Sequence, residues 1–332
     1  MFAPTAGLIR LIQLGEGGPI YLIPYEDHTL GAVVVGGVTT YIPLNMKLSR
    51  GHLITAKAIG KKGSELRKLG ASELGREFAN RGFSLKGKDL RVYFMTNAFK
   101  PKSDFHIPEP TIAGDFLPAI QLLGLANTSG DKLRRSFPIS ITDRVIAGFT
   151  EYLSVAIDHG GALASLGMFA PERLAKLPKE IVGLREDLGV LWIYSKKGEI
   201  RKVETIAGGS PIYNPANPPM EALSGELELK VVKAWFKNLT KMKGYHPLKL
   251  FIAENKLKLL GPGAGMLEIC EAKGVRMPVQ YFDARLVGAI VKAWSYGNLT
   301  IQASIAGSES PLCFTGGSAT VTLSPILEYA KC

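Results

Sequence analysis

The sequence predicts an α+β fold assembled from repeated units, and three observations carry that expectation. Val-Lys-Ala-Trp occurs at 232–235 and again at 291–294, each time inside an amphipathic helical stretch. Short apolar runs separated by turn residues follow both stretches, as the strands of an antiparallel meander do. Proline clusters at 100–110 and 208–219 cut the chain into pieces of about 110 residues, the usual size of a domain.

The last piece, 221–332, reads most clearly. On a wheel advancing about 100° per residue, Lys230, Lys233, Lys237 and Lys241 of a first helix (225–242) share an arc of roughly 80°. Leu229, Val232, Trp235, Phe236 and Leu239 fill the opposite face. In a second helix, 283–296, Arg285 and Lys292 share one edge, and Leu286, Val287, Ile290, Val291 and Trp294 take the other. A hairpin is expected from 248–253 to 256–261 across Glu254-Asn255, then a turn at 261–265 and strands at 266–272 and 276–282. Strands at 299–305, 311–316 and 319–327 follow the second helix, so the piece is a βαβββ unit used twice.

The middle piece, 110–220, repeats the plan more loosely. Helical stretches are expected at 112–127 and 169–184, strands within 136–158, and a hairpin over 190–205 turning at Lys197-Gly198. The first piece, 1–109, offers strands within 41–59, a helix at 72–81 and a strand at 90–97.

Composition narrows the function classes. The 332 residues suffice for two or three domains. Forty Lys and Arg against 29 Asp and Glu give a net charge of +11, which favours a polyanionic partner. Cys270, Cys313 and Cys332 are odd in number and widely spaced, which argues for reduced thiols in a cytosolic protein. No apolar run reaches the roughly 18–20 residues that span a bilayer, and the start of the chain lacks a basic leader. The 82–89 stretch GFSLKGKD has phosphate-loop spacing, but Asp89 stands where a Ser or Thr must bind Mg²⁺, so it reads as a turn. His28, His52, His106, His159 and His246 are scattered, so no metal ligand set or catalytic constellation emerges and no cofactor is expected.

Three stretches resemble a known family, the ring-shaped DNA sliding clamps typified by the β subunit of bacterial DNA polymerase III. LSVAIDHGGALASLGM at 153–168, followed by FAPERLAKLPKE at 169–180, is similar to the clamp strand-turn-strand and the helix after it. VRMPVQYFDARLVGAIVKAW at 275–294 is similar to the strand end and Leu-rich helix of the third clamp domain. SESPLCFTGGSATVTLSPIL at 308–327 resembles the terminal hairpin. The chain departs from the family in being basic and in carrying Asp158-His159-Gly160-Gly161 where clamps have a His-Arg pair after the aspartate, which marks a divergent member.

The resemblance implies three clamp domains, at 1–109, 110–220 and 221–332, each of duplicated βαβββ units, with two chains head to tail in a ring. It implies a non-catalytic, cytoplasmic, nucleoid-associated processivity factor that encircles duplex DNA and tethers polymerase, clamp loader and repair proteins through short peptides. Lys230, Lys233, Lys237, Lys241, Arg285 and Lys292, with Arg173 and Lys176, would face phosphates without reading sequence. Asp158, His159, Leu163, Pro211, Ile212, Tyr213, Pro325, Ile326 and Leu327 would form the partner-peptide groove. Two other classes remain open from the residues: a nucleic-acid-coating protein, such as an RNA-binding backbone subunit of a CRISPR effector, and an enzyme with an unrecognised site.

Overall fold

The computed structural model describes residues 1–78, 81–102, 105–111, 114–126, 137–175, 177–178, 180–206, 221–239, 247–261, 263–307 and 309–326. The first third opens with helix α1 (Pro4–Leu14) and strands β1 (Ile20–Tyr25), β2 (His28–Val35) and β3 (Val38–Leu44). Strand β4 (Gly51–Ile54) leads into α2 (Ala56–Leu69), then β5 (Glu73–Glu77), β6 (Gly82–Lys86), β7 (Arg91–Met95) and β8 (Asn97–Phe99). In the middle third a 3-10 helix, Leu117–Ala126, precedes β9 (Ile139–Ile141), β10 (Val145–Phe149) and β11 (Leu153–Asp158). Strand β12 (Gly167–Phe169) leads through α3 (Pro171–Ala175) to β13 (Ile181–Asp187), β14 (Val190–Ser195) and β15 (Ile200–Glu204). The last third runs β16 (Ala222–Glu228), α4 (Leu229–Leu239), β17 (Pro247–Ala253), β18 (Lys256–Gly261) and β19 (Gly265–Glu271). It closes with β20 (Gln280–Asp283), α5 (Ala284–Ala293), β21 (Asn298–Ser304), β22 (Leu312–Gly316) and β23 (Ala319–Leu323).

Among the described residues one unit therefore recurs six times: a helix followed by a three-stranded meander. Four of the six meanders gain a fourth strand from the opposite half of the same third. Strand β20, which leads into α5, borders β17, and β16, which leads into α4, borders β21. Strands β4 and β12 border β1 and β9 in the same manner. Meanders then join through their third strands, β3 with β15 and β11 with β23, all antiparallel. The result is two eight-stranded sheets, a four-stranded sheet β19-β18-β17-β20 and a three-stranded sheet β5-β6-β7.

These pairings divide the chain into two compact units, 1–113 with 178–204 and 114–177 with 205–332. In the first unit, strand alternation sends Ile20, Leu22, Ile42 and Leu44 to a core shared with Leu8 and Leu11 of α1 and Leu66 of α2. Tyr41, Ala32 and Leu30 go to the other face, against Trp192, Tyr194 and Ile107. His52 on β4 joins this unit's two sheets. Its Nε2 lies 2.8 Å from Glu77 Oε1 on β5, and its Nδ1 lies 2.7 Å from Thr96 Oγ1. In the second unit Gly225 on β16 has the matching role, because a Cβ there would meet the Ile269 carbonyl oxygen of β19 at 2.0 Å.

Several expectations are corrected. Residues 225–228 belong to strand β16, not to the first helix, since Gly225 and Leu227 alternate with exposed residues before the helical period begins at Leu229. The 169–184 helix shrinks to Pro171–Ala175, because Pro178 denies a backbone donor and the apolar run 181–184 starts β13. Within the 72–81 stretch, Glu73–Glu77 form strand β5, which pairs with β6 at a sheet edge, in place of the expected helix. Among the described residues the 112–127 stretch is helical over Leu117–Ala126, as 3-10 helix, and the 276–282 strand forms over Gln280–Asp283. GFSLKGKD is strand β6 rather than a turn over its first five residues. The Glu254-Asn255 turn is as expected, with φ of 55° and 57°, the left-handed pair of a tight hairpin.

Burial alone would raise the Glu77 carboxyl, but the hydrogen bonds from His52 and the Ser49 N–H outweigh it and hold the group below its usual range. A depressed folded value means stability present above the unfolded value and lost as pH falls through the folded one. Glu77→Gln should therefore be less stable than the parent near neutrality. Its chemical-denaturation midpoint should also fall less steeply than the parent's between about pH 5 and pH 3.

Candidate nucleic-acid interface

Helices α4 and α5 pack together, and each reproduces the two-faced pattern read from the sequence. Val232, Trp235, Val287, Ile290, Val291 and Trp294 are buried. Lys230, Lys233, Lys237, Arg285 and Lys292 are exposed. Burying each large apolar side chain contributes roughly 1.5–3 kcal/mol, so the apolar stripe fixes the direction of the cations. Gly288 allows the helices to close, since a Cβ there would lie 2.2 Å from the Phe236 ring.

The two Val-Lys-Ala-Trp copies are structurally equivalent. Val232 and Val291 are buried, and Lys233 and Lys292 are exposed. Trp235 Nε1–H donates to the Gly265 carbonyl at 3.2 Å, and Trp294 Nε1–H to the Asn298 carbonyl at 3.0 Å. They differ in that α5 stops one residue before its tryptophan, which turns to extended backbone at ψ 130°.

Local partners grade the cations. Lys230 sits 2.6 Å from Glu228, both exposed, a pair worth about 0–1 kcal/mol that leaves the ammonium exchangeable. Lys233 Nζ donates to the Trp294 carbonyl at 3.4 Å, where a cation complements the C-terminal end of the α5 dipole. Arg285 pairs with Asp283 at 3.1 Å, while Asp283 Oδ1 accepts the Arg285 N–H at 2.8 Å as the helix N-cap. Arg173 is half-buried and donates to the Thr205 carbonyl at 3.4 Å, so it is tied into the fold of its own unit. Lys176 and Lys241 lie outside the described residues.

One cationic helix escaped the sequence reading. Helix α2 carries exposed Lys57, Arg67 and Lys68, with Lys62 paired to Glu65 at 2.9 Å. Its signals were the Thr55 cap, which accepts the Ala58 N–H at 3.4 Å, and Gly70 at its end with φ 67°. Gly60 and Gly63 inside the stretch weakened the helical pattern.

The described residues of the expected peptide groove fall in two places. Asp158, His159 and Leu163 occupy the turn after β11. There Asp158 pairs with Arg144 at 3.4 Å, and the His159 ring bridges the Thr142 carbonyl (3.1 Å) and the Leu163 N–H (3.2 Å). His159 and Leu163 are buried, so this part offers little surface besides Asp158. Pro325 and Ile326 follow β23, whose Leu323 pairs with Leu153 at the start of β11. Antiparallel pairing therefore puts the two groups at opposite ends of the ladder, roughly 15–20 Å apart. Ile326 N–H instead docks on the Tyr281 carbonyl at 2.7 Å. Pro211, Ile212, Tyr213 and Leu327 lie outside the described residues.

Among the described residues no group of three His, Cys, Asp or Glu side chains could hold a metal, and no helix is long and apolar enough to cross a membrane.

Six helix-and-meander units with shared outer strands define a clamp architecture. The particular fold is that of the β sliding clamps of bacterial DNA polymerase III. A Helicobacter pylori β clamp bound to a DNA ligase peptide matches with a TM-score of 0.66 at 11% identity, over 98% of this chain and 99% of that one. A Pseudomonas aeruginosa DNA polymerase sliding clamp with a ligand matches with a TM-score of 0.62 at 12% identity, over 97% and 98% of the two chains. The Thermotoga maritima DNA polymerase III β subunit matches with a TM-score of 0.58 at 12% identity, over 98% of each. Neither a family model nor a curated protein matches the sequence.

The buried seam and the exposed row should respond differently to mutation. Gly288→Val should destabilise the protein by about 1–3 kcal/mol in urea titration, because Phe236 must move. Lys237→Ala should stay within about 0.5 kcal/mol of the parent.

Proposed function

We propose that this chain is the subunit of a DNA sliding clamp: a non-catalytic processivity factor that closes head to tail around duplex DNA and tethers polymerase, loader and repair proteins. The observation that carries the reading is the rule of third-strand pairing. Strands β3 and β15 satisfy each other, as do β11 and β23, while β7 and β19 stand at sheet edges. An exposed strand edge invites a partner, and two complementary edges on one chain generate a closed ring. Tyr93 and Met95 on β7 are 48% and 71% exposed, and Met266 on β19 is 56% exposed, so each edge carries apolar surface awaiting cover. Lys57 borders the β7 edge and Glu271 lies on β19, so the two edges also carry charges of opposite sign.

In the proposed ring the helices line the hole, and Lys230, Lys233, Lys237, Arg285 and Lys292 meet phosphates, joined by the cations of α2. The three-domain partition at 1–109, 110–220 and 221–332 follows the helix pairs α1 with α2, the 3-10 helix with α3, and α4 with α5. Partner peptides would bind across the second unit. An extended segment of about six residues reaches roughly 20 Å, enough to touch both Asp158 and the Pro325–Ile326 tail. The setting is the cytoplasm, at the nucleoid.

Light scattering should give a dimer at micromolar concentration, and the complex should be retained on nicked circular DNA and lost when that DNA is linearised. A monomer, or equal retention on linear DNA, would overturn the reading. Met95→Asp should convert the dimer to monomer while leaving the circular dichroism spectrum unchanged. Lys230→Glu, Lys237→Glu and Lys292→Glu should each weaken binding to any duplex sequence alike and lower the salt slope by about one.

A further inference from the structure

The first unit has an aromatic face opposite the one that α1 and α2 cover among the described residues. Ladder pairing sets Tyr21, Ala32 and Tyr41 in one row across β1, β2 and β3. A neighbouring row runs Val34, Thr39, Lys202 and Trp192. Between this face and the connector residues Pro101, Lys102, Phe105 and His106 lies a cavity of about 470 Å³, within the roughly 300–1,000 Å³ range of ligand sites. Its floor is preformed. Tyr41 and Trp192 are both more than nine-tenths buried and stack at 6.0 Å with 23° between planes. Ala32 makes the depression between the two tyrosines of its row.

The tyrosines of this face are used unequally. The Tyr25 hydroxyl accepts the Ile107 N–H at 3.3 Å, and the Tyr194 hydroxyl donates to the Pro108 carbonyl, so both pin the connector. Among the described residues the Tyr41 hydroxyl makes no hydrogen bond, although it lines the cavity and its residue is only 7% exposed. Burial, with Glu204 nearby, pushes that hydroxyl up to about 12, so it stays a donor at neutral pH. Lys102 and Lys202 stand at the rim, and among the described residues the carboxylate of Glu204 is 3.1 Å from Lys202. Val34 at the mouth is 58% exposed.

We propose that this cavity docks a short acidic peptide: a large apolar side chain seats against the exposed Tyr21 and Val34, a carbonyl accepts from the Tyr41 hydroxyl, and flanking carboxylates meet Lys102 and Lys202. An apolar anchor supplies the affinity and the rim charges select the partner. The site belongs to one unit of one chain, so it does not depend on ring closure.

Calorimetric titration of the full-length protein with Ac-Glu-Asp-Phe-Ile-Asp-Glu-NH2 tests this. Saturable one-to-one binding is expected, weakened about tenfold or more when Phe-Ile becomes Ala-Ala or when the four acids become lysines. Val34→Glu and Lys102→Glu, both at exposed positions, should each weaken it by about the same factor, and Tyr41→Phe by about fivefold. Met95→Asp, aimed at the ring edge, should leave this affinity unchanged. No binding at millimolar peptide, equal affinity for the lysine peptide, or insensitivity to both Val34→Glu and Lys102→Glu would overturn the proposal.

Discussion

A β-strand at a sheet edge leaves a row of backbone donors and acceptors that must find partners or water, and in this chain that demand organises everything larger than a meander. Each meander is too small to stand alone, having one apolar face and two open edges. One edge is met, in four of the six cases, by the short strand that leads into a helix of the same third. The other is met by the third strand of a meander distant in sequence: β3 by β15, and β11 by β23. Strand β15 closes a sheet begun some 160 positions earlier in the numbering, as Ile200↔Tyr41 records. The consequence is that compact units do not follow chain order, and 178–204 folds with 1–113.

The apolar faces set the electrostatics. Helices α1, α2, α4 and α5 each bury one stripe against a sheet, which leaves Lys57, Arg67, Lys68, Lys230, Lys233, Lys237, Arg285 and Lys292 on exposed faces. Where a charge is buried instead, it is matched. Glu199 sits between Arg10 (3.0 Å) and Arg201 (2.6 Å), and the Lys258 ammonium meets Glu254 and Glu268. Such networks consume cations that composition alone counts as available. The net charge of +11 is thus a weaker guide to a binding surface than the exposed lysines of α2, α4 and α5.

What could be read from the residues follows from range. The Val-Lys-Ala-Trp copies, the Glu254-Asn255 hairpin and the Asp283 cap are local, and the fold honours each of them. Long-range pairing has no local signature. Nothing near 72–81 announces that Glu73 to Glu77 would lie on β6, and a polar edge strand has much the same composition as an exposed helix face. The strand-to-helix switch at Glu228–Leu229 was missed because Leu227 and Leu229 fit either period. The separation of the described groove residues has the same origin. Asp158 and Pro325 each stood next to the right strand, but only the antiparallel register of β11 on β23 reveals that they sit at its two ends.

The uneven charge of the helices bears on how a clamp of this kind would hold DNA. The 3-10 helix Leu117–Ala126 carries no charged residue, and Arg173 beside it is tied to the Thr205 carbonyl. The cations concentrate on α2 and on the α4–α5 pair, so the inner wall of the proposed ring would be positive in patches. Each lost phosphate contact removes nearly one counterion from the salt dependence, and a wall with few contacts gives weak, strongly screened attraction. Weak attraction suits a protein that must move along the duplex. In the proposed ring it would also transfer retention from affinity to topology, so that closure of β7 on β19 would do what weak phosphate contacts do not.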